Sequence, residues 1–310
     1  MTTHLALVGP TAVGKSALAL SLAEAAGDVE IVTVDSMQVY RGLDIGTASP
    51  TPEERSRVVH HLVDVAEPTE DWSVARFQAA ARAAVADIGA RGKRALLVGG
   101  TGLYVRAVVD DLRFPGEDLD LRARLTVRGS TPEGLAALHA EVVARDPQAA
   151  ARLEPGNVRR IVRALEVMDL TGERFSASGA GLGTYGPTVF PVSLVGIWCP
   201  PALLARRIAT RVDLMYERGL VGEAEAAAAG LGRTASQAIG YREALAVVAG
   251  ELDERAARAA TTARTRRFAR RQVRWFRRDP RITWLGSAET DALSPSLLEC
   301  WRDRHRSAKE

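Results

Sequence analysis

"LALVGPTAVGKSALAL", residues 5–20, is the stretch from which the fold can be predicted. An apolar run precedes the pattern G-x-x-x-x-G-K-S, which extends from Gly9 to Ser16, and a helical pattern follows it. In this context the pattern predicts a phosphate-binding loop, because the backbone N–H groups of such a loop can surround phosphate oxygens at a helix N-terminus. Lys15 would add a positive charge, and the Ser16 hydroxyl can bind Mg²⁺. Phosphate binding is therefore predicted, whereas the motif does not establish nucleotide hydrolysis.

Strand and helix patterns alternate around this loop. Apolar runs of strand length occur at residues 4–9, 29–34, 61–66, 94–100 and 192–198. Helical patterns lie at 15–26, 73–91 and 102–110. Ser73 is the predicted N-cap of the second of these helices. Near-continuous apolar strands that alternate with helices predict an α/β fold, in which helices cover both faces of a parallel sheet.

The pattern changes between residues 115 and 187. Helices are predicted there at 118–128, 132–145 and 156–170, and residues 176–187 are typical of a flexible connection. We therefore expect a P-loop NTPase-like catalytic core of residues 1–114 and 188–310, with residues 115–187 as a mainly helical insertion domain. Helices are also predicted near the C-terminus, at 201–218, 221–230, 235–249 and 253–278.

Positive charge is concentrated in one C-terminal segment. The net charge is only +3, but residues 251–281 contain 11 arginines and 4 acidic residues. Such a segment indicates a polyanionic partner, although a solvated arginine-rich helix would have the same composition. The sequence contains no apolar run of about 18 residues, so no membrane span is predicted. Cys199 and Cys300 lack the spacing of a zinc site or a disulfide framework, so we expect a cytoplasmic protein.

Two predicted strands are followed by polar residues. Asp35 comes after the strand at 29–34, and Thr101 comes after the strand at 94–100. Because the carboxyl ends of parallel strands meet at one edge of a sheet, we expect both side chains beside the phosphate loop. Asp35 has three interpretations: a general base, a metal-linked carboxylate, or the N-cap of a helical turn. Its position at a strand end near the phosphate loop favours a functional role over the cap, and leaves the choice between base and metal ligand open.

Several segments together resemble the bacterial tRNA dimethylallyltransferases, the tRNA isopentenyltransferase (IPP transferase) family. They cover almost the whole chain in the expected order, so they are far more specific than the phosphate loop alone. The main ones are "GPTAVGKS" (9–16), "DSMQVYRGLDIGTA" (35–48), "VGGTGLYVRA" (98–107), "NVRRIVRALEV" (157–167), "RVDLMYERGLVGE" (211–223), "QAIGYREAL" (237–245) and "TRRFARRQVRWFRR" (265–278).

The resemblance implies an activity. The family transfers a dimethylallyl group from dimethylallyl diphosphate to the exocyclic N6 amine of the adenine 3′-adjacent to the anticodon (position 37), and diphosphate leaves. By this resemblance Asp35 is the catalytic base, Lys15 and Arg211 stabilise the diphosphate, and Thr101 contacts tRNA or the departing phosphate. Mg²⁺ is the expected cofactor, held through Ser16. The diphosphate-binding residues would be Gly9, Pro10, Thr11, Ala12, Val13, Gly14, Lys15 and Ser16.

The resemblance also implies a tRNA-binding surface for the anticodon stem-loop. We expect the protein to bind it as a monomer. Two positions depart from the family pattern, since Arg267 and Arg274 stand where glutamine and threonine are usual. Both changes add positive charge. The residues expected at tRNA are Asp35, Ser36, Met37, Gln38, Thr101, Arg159, Arg160, Ile161, Val162, Arg163, Arg242, Arg270 and Arg274.

Two other classes of protein compete with this interpretation. A P-loop kinase or nucleotide hydrolase acting on a small molecule would explain the loop and Asp35, but not the basic segment. A non-enzymatic RNA-binding protein with a vestigial phosphate loop would explain the basic segment, but would form no product. The first predicts dependence on ATP or GTP, and the second predicts RNA binding that survives the loss of Asp35.

Overall fold

The computed structural model describes residues 3–177 and 183–286, together with Leu297 and Trp301. Cys300 and part of the predicted connection at 176–187 lie outside the described residues. The chain divides into two compact units: Met1–Val109 with Thr188–Glu310, and Asp110–Pro187. The second unit thus begins at Asp110, earlier in the chain than the boundary expected at residue 115.

The described part of the first unit contains one parallel sheet of six strands, ordered β3-β2-β4-β1-β5-β6. The strands are β1 (His4–Val8), β2 (Val29–Val34), β3 (His60–His61), β4 (Arg94–Gly99), β5 (Val192–Trp198) and β6 (Thr283–Gly286). β1 lies between β4 and β5, with Val8 opposite both Gly99 and Gly196. The carboxyl ends of the three strands therefore meet at one edge of the sheet.

Helices flank the sheet in the first unit and make up the regular structure described for the second. They are α1 (Lys15–Ala26), α2 (Asp44–Thr47), α3 (Pro52–Arg57), α4 (Val74–Ala90), α5 (Gly102–Val109), α6 (Leu119–Arg128), α7 (Pro132–Arg145), α8 (Pro147–Ala150), α9 (Val158–Thr171), α10 (Pro201–Glu217), α11 (Leu220–Ala227), α12 (Tyr241–Val248) and α13 (Glu254–Phe276). The side chain of Ser73 accepts the Arg76 N–H at 3.2 Å, which confirms the predicted cap of α4.

The core of the first unit lies on both faces of the sheet. Leu5 and Leu7 of β1 pack in a cluster with Leu18 and Leu22 of α1. The alternate residue Val8 packs on the opposite face, in the cluster that contains residues of α4 and α5. This division follows from the two-residue period of a strand. Burying a leucine side chain of this kind stabilises the fold by about 1.5–3 kcal/mol.

The second unit has a small core of its own. Leu125, Leu138, Ile161 and Leu165 are almost fully buried in one cluster formed by its helices. The carboxylate of buried Glu166 accepts two hydrogen bonds of 3.0 Å from the Arg122 guanidinium, so its charge is paired.

The predicted strand at 61–66 is wrong beyond its first residue, because β3 comprises only His60–His61. Leu62 and Asp64 have φ angles of 63° and 54°, which are left-handed conformations that a strand cannot contain. The segment after these residues does not form the regular hydrogen bonds of a strand, because the N–H groups of Val65 and Ala66 both donate to the Val39 carbonyl.

The predicted helix at 235–249 starts later than expected. A short 3-10 turn occupies Ala235–Gln237, and α12 begins only at Tyr241, because Gly240 has a φ of 103°. Within the part of the chain that the structure describes, no helix has both the length and the apolar character needed to cross a lipid bilayer.

Candidate active site

The phosphate loop connects β1 to α1, as the sequence predicts. Gly14 precedes the first residue of α1, so the N-terminal N–H groups of that helix face the loop. The Lys15 Nζ donates to the Pro10 carbonyl at 2.8 Å, which folds the side chain back over the loop. Ala12 has a φ of 63°, a strained conformation for alanine of the kind that clusters at ligand sites.

Burial and two nearby charges of opposite sign act on Lys15. Burial and the charge of Arg211 lower the pKa of the Lys15 ammonium to about 7, although the Asp35 carboxylate acts in the opposite direction. Burial also lowers the pKa of Arg211, which Asp35 again opposes. Two half-buried cations that repel each other, with one carboxylate opposing them, favour an anionic ligand, because the ligand would supply further counter-charge.

A cavity of about 350 Å³ opens at the carboxyl edge of the sheet, beside the phosphate loop. Thr11, Asp35, Thr101 and Arg211 all line it, so the structure brings together residues from four distant parts of the sequence. Ser36 and Met37 line it as well. This volume lies within the range of small-molecule sites, about 300–1,000 Å³.

Asp35 directly follows β2 and is held by the backbone turn after it. Its Oδ1 accepts the Met37 N–H at 2.9 Å, so the carboxylate does stabilise a turn, as one interpretation of the sequence expects. No helix begins at this point in the described chain, since the next helix is α2. The hydrogen bond therefore fixes the direction of the carboxylate in the cavity without making it the N-cap of a helix.

Thr101 occupies the corresponding position after β4. Its carbonyl accepts the N–H groups of Tyr104 and Val105, which form the first turn of α5. The backbone of Thr101 is thereby fixed where the residue lines the cavity.

The turn around α2 forms another wall of the cavity, through Gly46 and Thr47. The Glu223 carboxylate accepts the N–H groups of Asp44, Ile45 and Gly46 at 2.8–3.0 Å. The Tyr241 hydroxyl donates to the same carboxylate at 2.6 Å. A Cβ at Gly46 would lie 2.3 Å from the Tyr241 ring, so glycine permits this close approach.

Gln38 and Arg211 hold the other end of this wall. The Gln38 Nε2 donates to the carbonyls of Thr47 and Ala48 at 3.1 and 2.9 Å. The Arg211 Nη2 lies 3.4 Å from the Thr47 carbonyl. The Gln38 amide, which the sequence predicts at tRNA, is thus bonded to backbone in this structure.

Helix α13 closes the cavity with side chains that the sequence interpretation missed. Arg264, Phe268 and Arg271 line the cavity and recur at intervals of four and three residues. This spacing places them on one helical face, together with buried Thr261 and Thr265. The sequence does contain a signal for this face, because the small residues Thr261 and Thr265 recur between the arginines at helical spacing. Counting charges alone could not separate the arginines on this face from the other arginines of the helix.

The arginines that the sequence predicts at tRNA on α13 are found elsewhere on the helix. Arg270 and Arg274 are exposed and do not line the cavity. Arg242, the second residue of α12, is exposed as well. These side chains are accessible to a large polyanion, and their contact with tRNA stays a prediction.

The predicted tRNA residues of the second unit differ in exposure. Arg159 and Arg160 are exposed on the first turn of α9. Ile161 and Val162 are 0% and 3% exposed and pack in the core of the unit, so the expectation that their side chains reach tRNA is corrected. They are apolar residues on the inner face of an amphipathic helix.

Arg163 is engaged within the second unit. Its guanidinium donates to the carbonyls of Pro115 and Gly116 at 2.7 and 3.0 Å. It also lies 3.0 Å from the Glu166 carboxylate. Contact between Arg163 and tRNA would therefore require it to exchange these partners.

The residues present fit the magnesium ion that the sequence predicts. Ser16 is exposed on the first turn of α1, beside the loop. Among the residues that the structure describes, no group of three histidine, cysteine or acidic side chains forms a metal cluster. Magnesium at phosphate sites does not need such a cluster, because it keeps several waters and takes its other ligands from one or two protein groups and the phosphates.

Comparisons with known proteins place this site in context. A family model described as IPP transferase matches residues 38–279, and one described as isopentenyl transferase matches residues 1–64. A tRNA dimethylallyltransferase from Salinispora arenicola is 54% identical over 298 residues, covering 95% of this chain and 85% of that protein. One from Streptomyces avermitilis is 50% identical over 290 residues, covering 93% and 91%.

Solved structures show the same similarity. A full-length tRNA isopentenylpyrophosphate transferase from Bacillus halodurans is 36% identical and superposes with a TM-score of 0.71, covering 99% of this chain and 98% of that one. A eukaryotic dimethylallyltransferase acting on tRNA is 25% identical with a TM-score of 0.79, covering 94% of this chain and 75% of that one. These matches confirm the predicted P-loop NTPase-like core.

Proposed function

The chain belongs to the IPP transferase family, and we propose that it transfers a dimethylallyl group from dimethylallyl diphosphate to the N6 amine of the adenine 3′-adjacent to the anticodon of tRNA. The observation that carries the proposal is the cavity in which Asp35, Thr101 and Arg211 meet beside the phosphate loop. The enzyme would act in the cytoplasm, where tRNA is its substrate.

The phosphate loop end of the cavity would bind the donor. When the C–O bond of dimethylallyl diphosphate breaks, negative charge develops on the departing diphosphate. Lys15, Arg211 and the N–H groups at the start of α1 would stabilise that charge where it forms. Mg²⁺ held by Ser16 and the diphosphate would neutralise further charge on the leaving group. Donor binding would also raise the pKa of Lys15, because the diphosphate supplies the counter-charge that the free site lacks.

Asp35 would act on the acceptor. The exocyclic amine of adenine is a poor nucleophile, because its lone pair is delocalised into the ring. As the new C–N bond forms, the nitrogen must lose a proton, and the carboxylate of Asp35 would accept it. The hydrogen bond that Oδ1 of Asp35 accepts from the Met37 N–H fixes the direction of the carboxylate. The carboxylate is therefore already oriented before the reaction begins.

The tRNA would lie against the exposed arginines. Arg242, Arg270 and Arg274 on the first unit, and Arg159 and Arg160 on the second, are accessible to phosphates. The target adenine has to leave the stack of the anticodon loop to reach the cavity. Arg264, Phe268 and Arg271 offer charge and an aromatic surface along its way to Asp35.

A direct assay tests this proposal against the kinase alternative. Purified protein is mixed with unmodified tRNA, Mg²⁺ and radiolabelled dimethylallyl diphosphate, without any nucleotide. We expect label in the tRNA, and digestion to nucleosides should place it on the adenine beside the anticodon. Absence of label, together with phosphate release once ATP is added, would favour a P-loop kinase or hydrolase instead.

A further inference from the structure

Gln272 of α13 joins two loops of the candidate site. Its side chain is buried, with 6% of the residue exposed. The Oε1 accepts the Thr11 N–H of the phosphate loop at 2.8 Å. The Nε2 donates to the Gly100 carbonyl, in the loop after β4, also at 2.8 Å. One amide group therefore bonds a donor on one loop and an acceptor on the other.

The loop after β4 is shaped to receive this helix. A Cβ at Gly100 would lie 2.4 Å from the Gln272 Nε2 and 3.2 Å from the Gly9 carbonyl oxygen, so there is no room for a side chain. The next glycine, Gly102, faces Trp275 in the same way, because a Cβ there would lie 2.1 Å from the indole ring. Helix α13 is thus seated on the backbone immediately before and after Thr101.

The hydrogen-bonding pattern requires a side-chain amide at this position. A carboxylate could accept the Thr11 N–H, but its second oxygen would face the Gly100 carbonyl oxygen and repel it. An apolar side chain of the same size would leave both backbone groups buried without partners. Only a side chain with one acceptor and one donor satisfies both loops.

We propose that Gln272 is a positioning residue for the proposed prenyl transfer. By holding the Thr11 N–H and the Gly100 carbonyl together, it fixes the phosphate loop relative to Thr101. The same helix carries the exposed Arg270 and Arg274, so the clamp and two of the residues expected at tRNA belong to one helix. The inference rests on the proposed function for its link to tRNA, whereas the clamp between the loops stands on its own.

Hydrogen–deuterium exchange in the free protein, read in peptides spanning the phosphate loop and the Thr101 loop, tests the clamp without any substrate. In Gln272→Met, exchange in the phosphate loop should rise about tenfold, because the Thr11 N–H loses its acceptor. The loop after β4 should open more often once the Gly100 carbonyl loses its donor, so the N–H groups of that loop should exchange faster as well. In Gln272→Glu, the phosphate loop should stay protected and the Thr101 loop alone should exchange faster. The matched control is Gln78→Met, which removes a glutamine that donates to the Ala107 carbonyl at 2.7 Å in the same unit.

Steady-state kinetics then test the positioning role. We expect Gln272→Met to lower kcat about tenfold while the KM for tRNA changes by less than about threefold, because the variant misplaces reacting groups and leaves the RNA surface intact. Gln272→Glu should lie between Gln272→Met and the wild type, and Gln78→Met should match the wild type.

Unchanged exchange of both loops in Gln272→Met would overturn the proposal. So would a rise spread evenly over the sheet, or a loss confined to the KM for tRNA. Wild-type protein that transfers no label to tRNA would instead refute the proposed function, and the exchange experiment would still decide whether Gln272 clamps the loops.

Discussion

Arg270 and Arg271 are neighbours on α13, yet they lie in different surroundings. Both side chains are exposed, but Arg271 lines the cavity with Phe268 and Arg264, whereas Arg270 lies outside it. An arginine that lines the cavity can act over a short distance on a group that enters it. An exposed arginine outside the cavity acts on a polyanion through a screened, salt-dependent attraction. One basic segment therefore contains two kinds of positive charge, and only the register of the helix separates them.

The largest expected effect concerns the carboxylate inside the cavity. Asp35→Asn keeps an oxygen that can accept the Met37 N–H but removes the charge, so the turn should survive. Single-turnover transfer of label to tRNA should slow by about 10²–10⁴-fold, the usual contribution of a general base. Filter-binding affinity for tRNA should change by less than about twofold, because a group inside the cavity contributes little to phosphate contacts. Normal turnover with weakened tRNA binding would mean that Asp35 contributes to RNA binding rather than to proton transfer.

Anion binding at the phosphate loop, beside the cavity, should depend on pH through Lys15. The pKa of Lys15 is lowered to about 7 in the free site, and a bound diphosphate should raise it. Between those two values, binding takes up a proton, so affinity is highest below pH 7 and falls as the pH rises, by at most about tenfold per pH unit. Isothermal titration with pyrophosphate and Mg²⁺ from pH 6 to 9 measures this slope.

Lys15→Ala supplies the matched control for that titration. The ligand's own ionisation affects both proteins equally, so it cancels from the ratio of the two affinities at each pH. The ratio should shrink toward one as the pH rises. A ratio that is constant across the range would mean that Lys15 stays charged in the free site, contrary to the lowering of its pKa by burial and by Arg211.

Arg270 and Arg271 themselves give the sharpest test of the comparison. Arg271→Ala should lower kcat/KM about tenfold through the cavity and leave the salt dependence of tRNA binding unchanged. Arg270→Ala should weaken tRNA binding and reduce the slope of log K against log salt by about one, the value for one lost phosphate contact. If the two variants changed kcat/KM and the salt dependence of tRNA binding equally, Arg270 and Arg271 would have the same role.

The smallest expected effect is on the wall around α2. Tyr241→Phe removes the hydroxyl that donates to Glu223, but the carboxylate keeps its bonds to the Asp44, Ile45 and Gly46 N–H groups. Thermal unfolding should show a loss of about 1 kcal/mol, the value of one hydrogen bond with its partner still largely satisfied. A loss as great as that of Glu223→Ala would mean that Tyr241, rather than the carboxylate, holds the wall.

The first unit was predictable where local patterns decide the structure. The phosphate loop lies between a buried strand and a helix in the sequence as in the structure, and the positions of Asp35 and Thr101 followed from the ends of their strands. The end of β3 was not predictable in this way, because Leu62 and Asp64 adopt left-handed conformations that apolar composition does not reveal. Ile161 and Val162 were assigned to tRNA through a continuous motif, although helical periodicity places them in a core.

The contacts between distant segments were the least predictable part. Gln272 meets residues 261 and 172 positions away in the chain, and Glu223 meets the α2 turn from 177–179 positions away. Such contacts depend on how α11 and α13 pack against other helices and loops of the first unit, which no local pattern in a single sequence specifies. Gln272 and Glu223 position the loops of the site, and the sequence did not predict these roles. Most of the residues that face the ligands could be predicted from sequence motifs.

The central claim is that one cavity holds the allylic diphosphate on the phosphate loop and the adenine amine at Asp35. A crystal structure with an unreactive analogue of dimethylallyl diphosphate and an unmodified anticodon stem-loop measures this directly. We expect diphosphate on the loop beside Lys15 and Arg211, with the adenine N6 within hydrogen-bond reach of the Asp35 carboxylate, about 2.6–3.2 Å. An adenine still stacked in its loop, or an amine that faces a group other than Asp35, would contradict it.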